Sequence, residues 1–399
     1  MSLQHAHGFD LEARLRERER QGLRRSLDPV EEVAGRARVA EDPNGDAPAF
    51  GEERLVFAAN NYLGLAGDER VAAAAAKAAR EIGTGAGASR LVVGDTPAHR
   101  SLERRLAAEK DAERALAFSS GYAANVGTIT ALDPDVIFSD ELNHASIVDG
   151  ARLSGAAIEV YDHCDASALA DAMADRAETA APGESWLVVT DSVFSMDGDV
   201  APLETICDVA DEYGAWTMVD EAHATGVYEG GIVGKRGLTD RVDVQLGTLS
   251  KALGAQGGFV AGDETLIEHL LNAARSFVFS TGLAPPAAAA AERALELASE
   301  RRDALKTNVE RLREGLDALG YEVWGDTHIL PVVVGDRDDA LALDERLREA
   351  GIVAPAIRPP TVPEGTSRIR LAPQATHTTA DIDRCLAAFE AADEEAGLL

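Results

Sequence analysis

The chain has 399 residues, 46% of them apolar, enough for two domains or for one large domain with a smaller appendage. Against 38 Lys and Arg stand 69 Asp and Glu, a formal net charge of −31 that repels nucleic acid and anionic lipid and excludes both as partners. No uninterrupted apolar run reaches the length needed to span a bilayer, which excludes a membrane helix.

Lysine occurs only at 77, 110, 235, 251 and 306, and this acid-rich, lysine-poor balance fits a protein kept soluble in concentrated salt. Cys164, Cys207 and Cys385 lie far apart, with no CxxC and no metal-ligand spacing. They read as small buried hydrophobes in a reducing compartment, with no metal site.

The N-terminus, "MSLQHAHGFDLEARLRERERQGLRR", is polar and helix-patterned with no apolar signal core, which points to the cytoplasm. A charged amphipathic helix is predicted up to about residue 30, then an irregular connection through "EDPNGDAP". "RLVFAANNYLGLA" reads as a strand ending in a polar turn, and "DERVAAAAAKAAREIG" as a helix closed by "GTGAGASR". "GDTPAHRSLERRLAAEK" opens a helix with Thr96 as cap and Pro97 at the first helical position. Short apolar runs then alternate with helical patterns: "RALAF", "DVIFS", "AAIEVY", "SWLVVTD", "AWTMVD", "VQLGTL" and "GGFVAG". That alternation predicts an α/β fold with a mostly parallel sheet flanked by helices. From about residue 286 long helices surround "HILPVVVGD", "GIVAPAIRPP" and "TSRIRLAP", the pattern of a smaller C-terminal α+β domain. The boundaries expected are a helical segment over 1–52, a large domain over 53–290 and a small domain over 291–399.

Ligands of open parallel sheets bind beyond the carboxyl ends of the strands, so the residues that follow each run matter most. After "RALAF" comes "SSGYAAN", small residues entering a helix whose free amides and dipole suit a phosphate. "DVIFSD" leads to His144, "WLVVTD" to "SVFSMDGD", "WTMVD" ends at Asp220 with His223 after it, and "VQLGT" leads to Thr248, Ser250 and Lys251. Singly, each has a plain reading: a structural histidine, a helix cap, a solvated lysine. Together they place a phosphate cradle, a carboxylate, two imidazoles and an isolated lysine on one sheet edge. Pyridoxal 5′-phosphate needs that set: an amine for its aldehyde, an anion for its pyridine nitrogen, a flat group over its ring and donors for its phosphate. Small neighbours in "GTLSKALGAQGG" leave the Lys251 side chain room to move, and their low polarity lowers its pKa.

"TLSKALGAQGG" also resembles the lysine signature of fold-type I pyridoxal-phosphate enzymes of the class II aminotransferase group. "NNYLGLA", "GTGAGASRLVVGDTPAHRSLE", "SSGYAAN", "LNHAS", "DSVFSMDGD" and "VDEAHATGVYEGG" are similar to successive blocks of the α-oxoamine synthase family. The resemblance runs from about Leu23 to the C-terminus. It implies that Lys251 carries the cofactor and then takes the substrate's α-proton, that Asp220 pairs with the pyridine nitrogen and that His144 stacks on the ring. His223 would bond the phenolic oxygen, supported by Ser195, while Gly121, Tyr122 and Thr248 hold the cofactor and its phosphate. Ser280 and Thr281 would reach a phosphate in the partner subunit of a homodimer with shared active sites. Arg370 would form a bidentate pair with the amino-acid carboxylate, assisted by Asn60. Arg24, with Arg20 and Arg25 as alternative registers, and Thr361 fall at positions of acyl-CoA contacts. "AIRPPTVPEGTSRIRL" most resembles the branch that joins alanine to a pimeloyl thioester in biotin synthesis. The branch that joins glycine to acetyl-CoA stays open, as does, more remotely, an aminotransferase. A binding protein without catalysis is opposed by the intact Lys251, Asp220, His144 and His223.

"GGIVGKRG" fails as a nucleotide phosphate loop on spacing and on Arg236, and "GTGAGASR" is not a dinucleotide fingerprint. It reads instead as backbone that approaches the thioester substrate closely. His5, His7, His163, His269, His328 and His377 show no metal spacing and read as surface or structural.

Overall fold

The structure, a computed structural model, describes residues 8–25, 27–40 and 49–396. The connection at 41–48, His5 and His7 lie outside the described residues. The N-terminal helix is shorter than its charge pattern predicts, Leu11–Arg20. Gly22, in the left-handed region at φ 65°, ends it: Leu23 N–H donates to Arg18 O (2.7 Å) and Gly22 N–H to Glu19 O (3.0 Å). This is a Schellman closure, which a side chain with a Cβ disfavours. The helix buries no residue, so charge and capping alone shape it.

Strands β1 (Arg36–Ala40) and β2 (Phe50–Val56) pair antiparallel. The central sheet then takes β3 (Arg114–Phe118), β4 (Val136–Asp140), β5 (Ala157–Tyr161), β6 (Trp186–Asp191), β7 (Trp216–Asp220), β8 (Val244–Thr248) and β9 (Gly258–Gly262). Their order is β3-β9-β8-β7-β6-β4-β5, parallel from β8 through to β5. β9 runs antiparallel to both neighbours, because residues 249–257 leave no room for a crossover helix. β4 and β8 are buried along their whole length, as expected of strands covered on both faces by helices.

One core packs between this sheet and helices such as Glu69–Glu81, Pro97–Glu109 and Pro285–Leu297. Thr96 N–H donates to His99 Nδ1 (3.1 Å) at the start of the helix that Pro97 opens, in line with the predicted start. A second core forms around β10 (Glu322–Val323), β11 (Leu330–Gly335), β12 (Ile352–Val353), β13 (Ala356–Ile357) and β14 (Ser367–Leu371). β10, β11, β14 and β13 make an antiparallel sheet, while β12 pairs parallel with β2. Leu55 and Phe57 pack in this second core. The boundary expected at 52/53 therefore falls within β2, a strand that pairs with β1 on one side and with β12, from the C-terminal part of the chain, on the other.

Candidate active site

Because β3, β4, β6, β7 and β8 end on one edge, the residues that follow them meet there. They line a cavity of about 200 Å³ whose walls include Gly121, Tyr122, His144, Ser195, Asp220, His223, Thr248 and Lys251. Gly258 makes the geometry possible at the β3 end. A Cβ there would lie 2.6 Å from the backbone of Ser120 and Gly121, so glycine lets β9 touch the start of helix Gly121–Leu132. Ser120 caps that helix by accepting from Ala123 N–H (3.0 Å), leaving the first-turn amides of Gly121 and Tyr122 directed at the cavity end. Thr248 bonds Ser250 Oγ (2.8 Å) and donates to Gly257 O (3.0 Å), fixing the opposite lip. Tyr122 is half exposed and its hydroxyl donates to Asp149 (2.8 Å).

Asp220 is 3% exposed. One oxygen accepts from Asn125 Nδ2 (2.7 Å) and the other from Ala222 N–H (2.8 Å). Asp191 lies beside it in register, and its Oδ2 accepts the His144 backbone N–H (2.8 Å). Burial, then the Asp220 carboxylate, pushes the Asp191 carboxyl well above its usual range. His144 caps helix Ala145–Ser154, and its Nδ1 bonds Ser146 Oγ (2.7 Å). Burial, then the Lys251 cation, holds His144 below its usual pKa, so its flat ring is neutral.

Lys251 is pushed down to about 8, by burial first and by Arg370 second, against the pull of Asp220 and Asp191. Its Nζ lies 2.8 Å from His223 Nε2, and His223 Nδ1 lies 2.6 Å from the Tyr62 hydroxyl. Tyr62 donates in turn to Asn60 Oδ1 (2.9 Å), which also accepts from Arg370 Nη2 (3.1 Å). One assignment satisfies every group: Tyr62 donates to Asn60, His223 Nδ1–H donates to Tyr62, and Nε2 accepts from the Lys251 amine. Burial, then Lys251 and Arg370, holds His223 well below its usual pKa, which suits the neutral ring this requires. Arg370 is 6% exposed, donates through Nε to Ser195 O, and among the described residues no carboxylate pairs with it.

Asn60 and Arg370 join the cavity through Ser195 and Tyr62 rather than lining it. Arg24 is exposed and bonded to Glu19 (2.9 Å), and Thr361 is exposed on a turn. Neither lines the cavity, but Arg358 Nη2 donates to Gly22 O (2.8 Å), which ties their two segments together. Ser280 and Thr281 sit at the surface, also outside the cavity.

Sequence reasoning missed Tyr62, Asn125 and Asp191. All three stand within blocks already quoted, "NNYLGLA", "SSGYAAN" and "DSVFSMDGD", so position next to a strand end was the available signal. His163 is half-buried and bridges Asp140 (3.0 Å) and Asp199 (3.3 Å), holding the loop that carries Ser195. Burial pulls its pKa down, but the bonds to both carboxylates outweigh that and lift it to about 12. The glycines of "GGIVGKRG" cover a buried ion pair: Glu221 bonds Lys110 and accepts from Val233 N–H (2.9 Å). A Cβ at Gly231 would strike the Glu221 carboxylate.

Residues 52–389 match the family described as aminotransferase class I and II. The 8-amino-7-oxononanoate synthase of Anaeromyxobacter dehalogenans is 50% identical over 380 residues, 93% of this chain and 92% of its own. Among solved structures, the serine palmitoyltransferase of Sphingomonas wittichii gives a TM-score of 0.88 at 31% identity, over 100% of both chains. That of S. paucimobilis, with PLP and myriocin bound, also gives 0.88, at 30% identity and full coverage of both. The 8-amino-7-oxononanoate synthase of Francisella tularensis gives 0.72 at 26% identity, over 86% of this chain and 98% of that one. At this identity and coverage the chain belongs to the class I and II aminotransferase family, and within it to the group of the 8-amino-7-oxononanoate synthases.

Proposed function

We propose that the chain condenses L-alanine with pimeloyl-CoA, or a related acyl thioester, to give 8-amino-7-oxononanoate, coenzyme A and CO2 in biotin biosynthesis. Pyridoxal 5′-phosphate is its cofactor. The observation that carries this reading is a buried guanidinium, Arg370, without an acidic partner among the described residues, beside the half-buried amine of Lys251, held down to about 8. Burying an unpaired cation is costly, and a substrate carboxylate removes that cost. The names of relatives at 50% identity support the choice of substrates.

The residues present fit the cofactor. Asn125 Oδ1 is buried in the cavity wall without a protein partner, and the amides of Gly121 and Tyr122 with Thr248 form a phosphate cradle. When bound, the group supplies an electron sink for the carbanion at the substrate Cα. The chain supplies attachment, orientation and proton handling. Lys251 would hold the cofactor's aldehyde and could take the α-proton, because an amine pushed down to about 8 is partly neutral at working pH. Asp220 would pair with the pyridine nitrogen. His144 would stack on the ring, and His223, with Ser195 nearby, would bond the phenolic oxygen. Arg370 and Asn60 hold the amino-acid carboxylate, and Arg24 and Thr361 contact the acyl-CoA.

The working unit in this reading is a homodimer in which Ser280 and Thr281 reach the partner's phosphate. Leu91, Val92, Val93 and Phe279 are exposed on neighbouring segments, which Ser89 Oγ→Val278 O (2.8 Å) and Gly282 N→Ala88 O (3.0 Å) tie together. An apolar patch of that kind suits a subunit contact. Three free cysteines suit the cytoplasm, and the acidic surface suits concentrated salt.

Coenzyme A release with alanine or glycine, crossed with pimeloyl- or acetyl-CoA, tests the substrates. Alanine with pimeloyl-CoA is expected to be the efficient pair, and efficient turnover of glycine with acetyl-CoA instead would replace the named product. Arg370→Lys is expected to raise KM for the amino acid by roughly 10² while cofactor affinity changes little, since lysine cannot make the bidentate pair. Equal losses in both, by substrate kinetics and cofactor titration, would make Arg370 structural.

A further inference from the structure

His328, which lies just before β11, is 3% exposed, and neither ring nitrogen has a hydrogen-bond partner among the described residues. What it does touch is specific. Its ring stands edge-on to Tyr62, with centroids 4.2 Å apart at 73°, and lies 6.0 Å from the Tyr228 ring at 60°. Tyr62 is fully buried and bonds His223, which bonds the Lys251 amine. With no hydrogen bond of its own, the imidazole acts on that line only through its ring.

On its other side His328 borders a second cavity of about 420 Å³, shared with Val227, Tyr228, Leu305, Val309 and Arg313. It is therefore a partition. An ordinary core ring has close neighbours that hold an adjacent tyrosine in place if the ring is removed. Here, removal would open Tyr62 onto a space large enough for its own ring to turn into.

We propose that His328 is a positioning residue for Lys251: its edge contact keeps Tyr62 turned toward His223, and His223 in turn holds the lysine amine in place at the cavity wall. The inference rests on Lys251 being the reactive amine. Arg370 and Lys251 are charged groups that bear on His328 from the site side, and Lys235, Arg302, Asp303, Glu310, Arg313 and Asp326 line the second cavity on its other side. Burial first, then the Arg370 and Lys251 cations, hold it down to about 3, so the ring adds no further positive charge at working pH. The groups that bear on the Lys251 titration are His223, His144, Asp220, Asp191 and Arg370.

The test reads Lys251 in full-length, cofactor-free protein, by competitive amine labelling across pH and peptide mapping. Exposed Lys77, which lines neither cavity, serves as the internal reference. The wild-type midpoint for Lys251 is expected at about 8. In His328→Ala, Tyr62 turns away, His223 loses its hold on the amine, which is then free to move toward Asp220 and solvent, and the midpoint rises by roughly half a unit or more toward that of an ordinary lysine. His328→Phe keeps an edge-on ring and is expected to restore the wild-type midpoint. A folded His328→Ala protein with an unchanged midpoint would overturn the proposal, as would a Phe variant shifted as far as the Ala variant. If the alanine variant fails to fold, His328→Leu fills the space without a ring. It is expected to shift the midpoint upward, and an unshifted midpoint there also overturns the proposal. The labelling needs no turnover, so its failure is distinct from a failure of the condensation assay on wild-type protein.

Discussion

Lys251→Ala is expected to abolish the visible absorbance of the bound cofactor and to lower coenzyme A release by roughly four orders of magnitude or more, in a protein that stays folded. The loss is large because no nearby group can replace a covalent anchor that also serves as the base. The other lysines are at 77, 110, 235 and 306, and Lys110 is locked in the buried pair with Glu221. The fold is expected to survive because the loop around position 251 is held by its backbone. Gly254 N–H donates to Lys251 O and Ala255 N–H to Leu249 O, both at 2.9 Å, while Ala252 and Leu253 are buried. None of these uses the lysine side chain. Absorbance, thioester cleavage and circular dichroism on the same sample check the three parts. A folded variant that still turns over would deny Lys251 its role.

Asp220→Asn ranks second, with turnover expected to fall by roughly 10²–10³ while the protein keeps its secondary structure and melts within a few degrees of wild type. The substitution removes a charge but not the shape. The introduced asparagine can still accept the Ala222 amide through its oxygen. Its amide nitrogen then faces Asn125 Nδ2, which in the wild type donates to Asp220. A flip of the Asn125 amide would bring its unpartnered Oδ1 round to accept that donor. What cannot be repaired is the anion. Asp191 lies alongside, but its burial, the largest cause of its raised pKa, persists when the Asp220 charge is removed, and its Oδ2 is engaged by the His144 amide. Retention of wild-type turnover in Asp220→Asn would mean that no charged partner is needed at that point of the site.

The central sheet was legible because each of its strands is a short apolar run and parallel strands buried on both faces leave little polar alternation to confuse the pattern. The site was legible for a related reason. Residues that follow parallel strands must meet at one edge, so His144, Asp220, His223 and Lys251 follow from strand ends alone, together with Gly121 and Thr248. The groups that act through another side chain were not legible. Tyr62 joins nearby Asn60 to His223 and Arg370, each more than one hundred positions away in sequence. Nothing in "NNYLGLA" marks that meeting. His328 reads as one more histidine before a strand until its ring is seen against Tyr62 and a cavity. The direction of β9 depended on the length of a connection rather than on residue type. The end of the first helix depended on one glycine in the left-handed region. β2 reads as part of the large domain because one of its two partners, β12, comes some three hundred residues later.

The account depends most directly on which nitrogen carries the cofactor. Borohydride reduction of the purified, active protein, followed by peptide mapping, is predicted to find one reduced pyridoxyl group, on the peptide that contains Lys251. A label at Lys77, Lys110, Lys235 or Lys306, or no label in a preparation shown to be active, would contradict it.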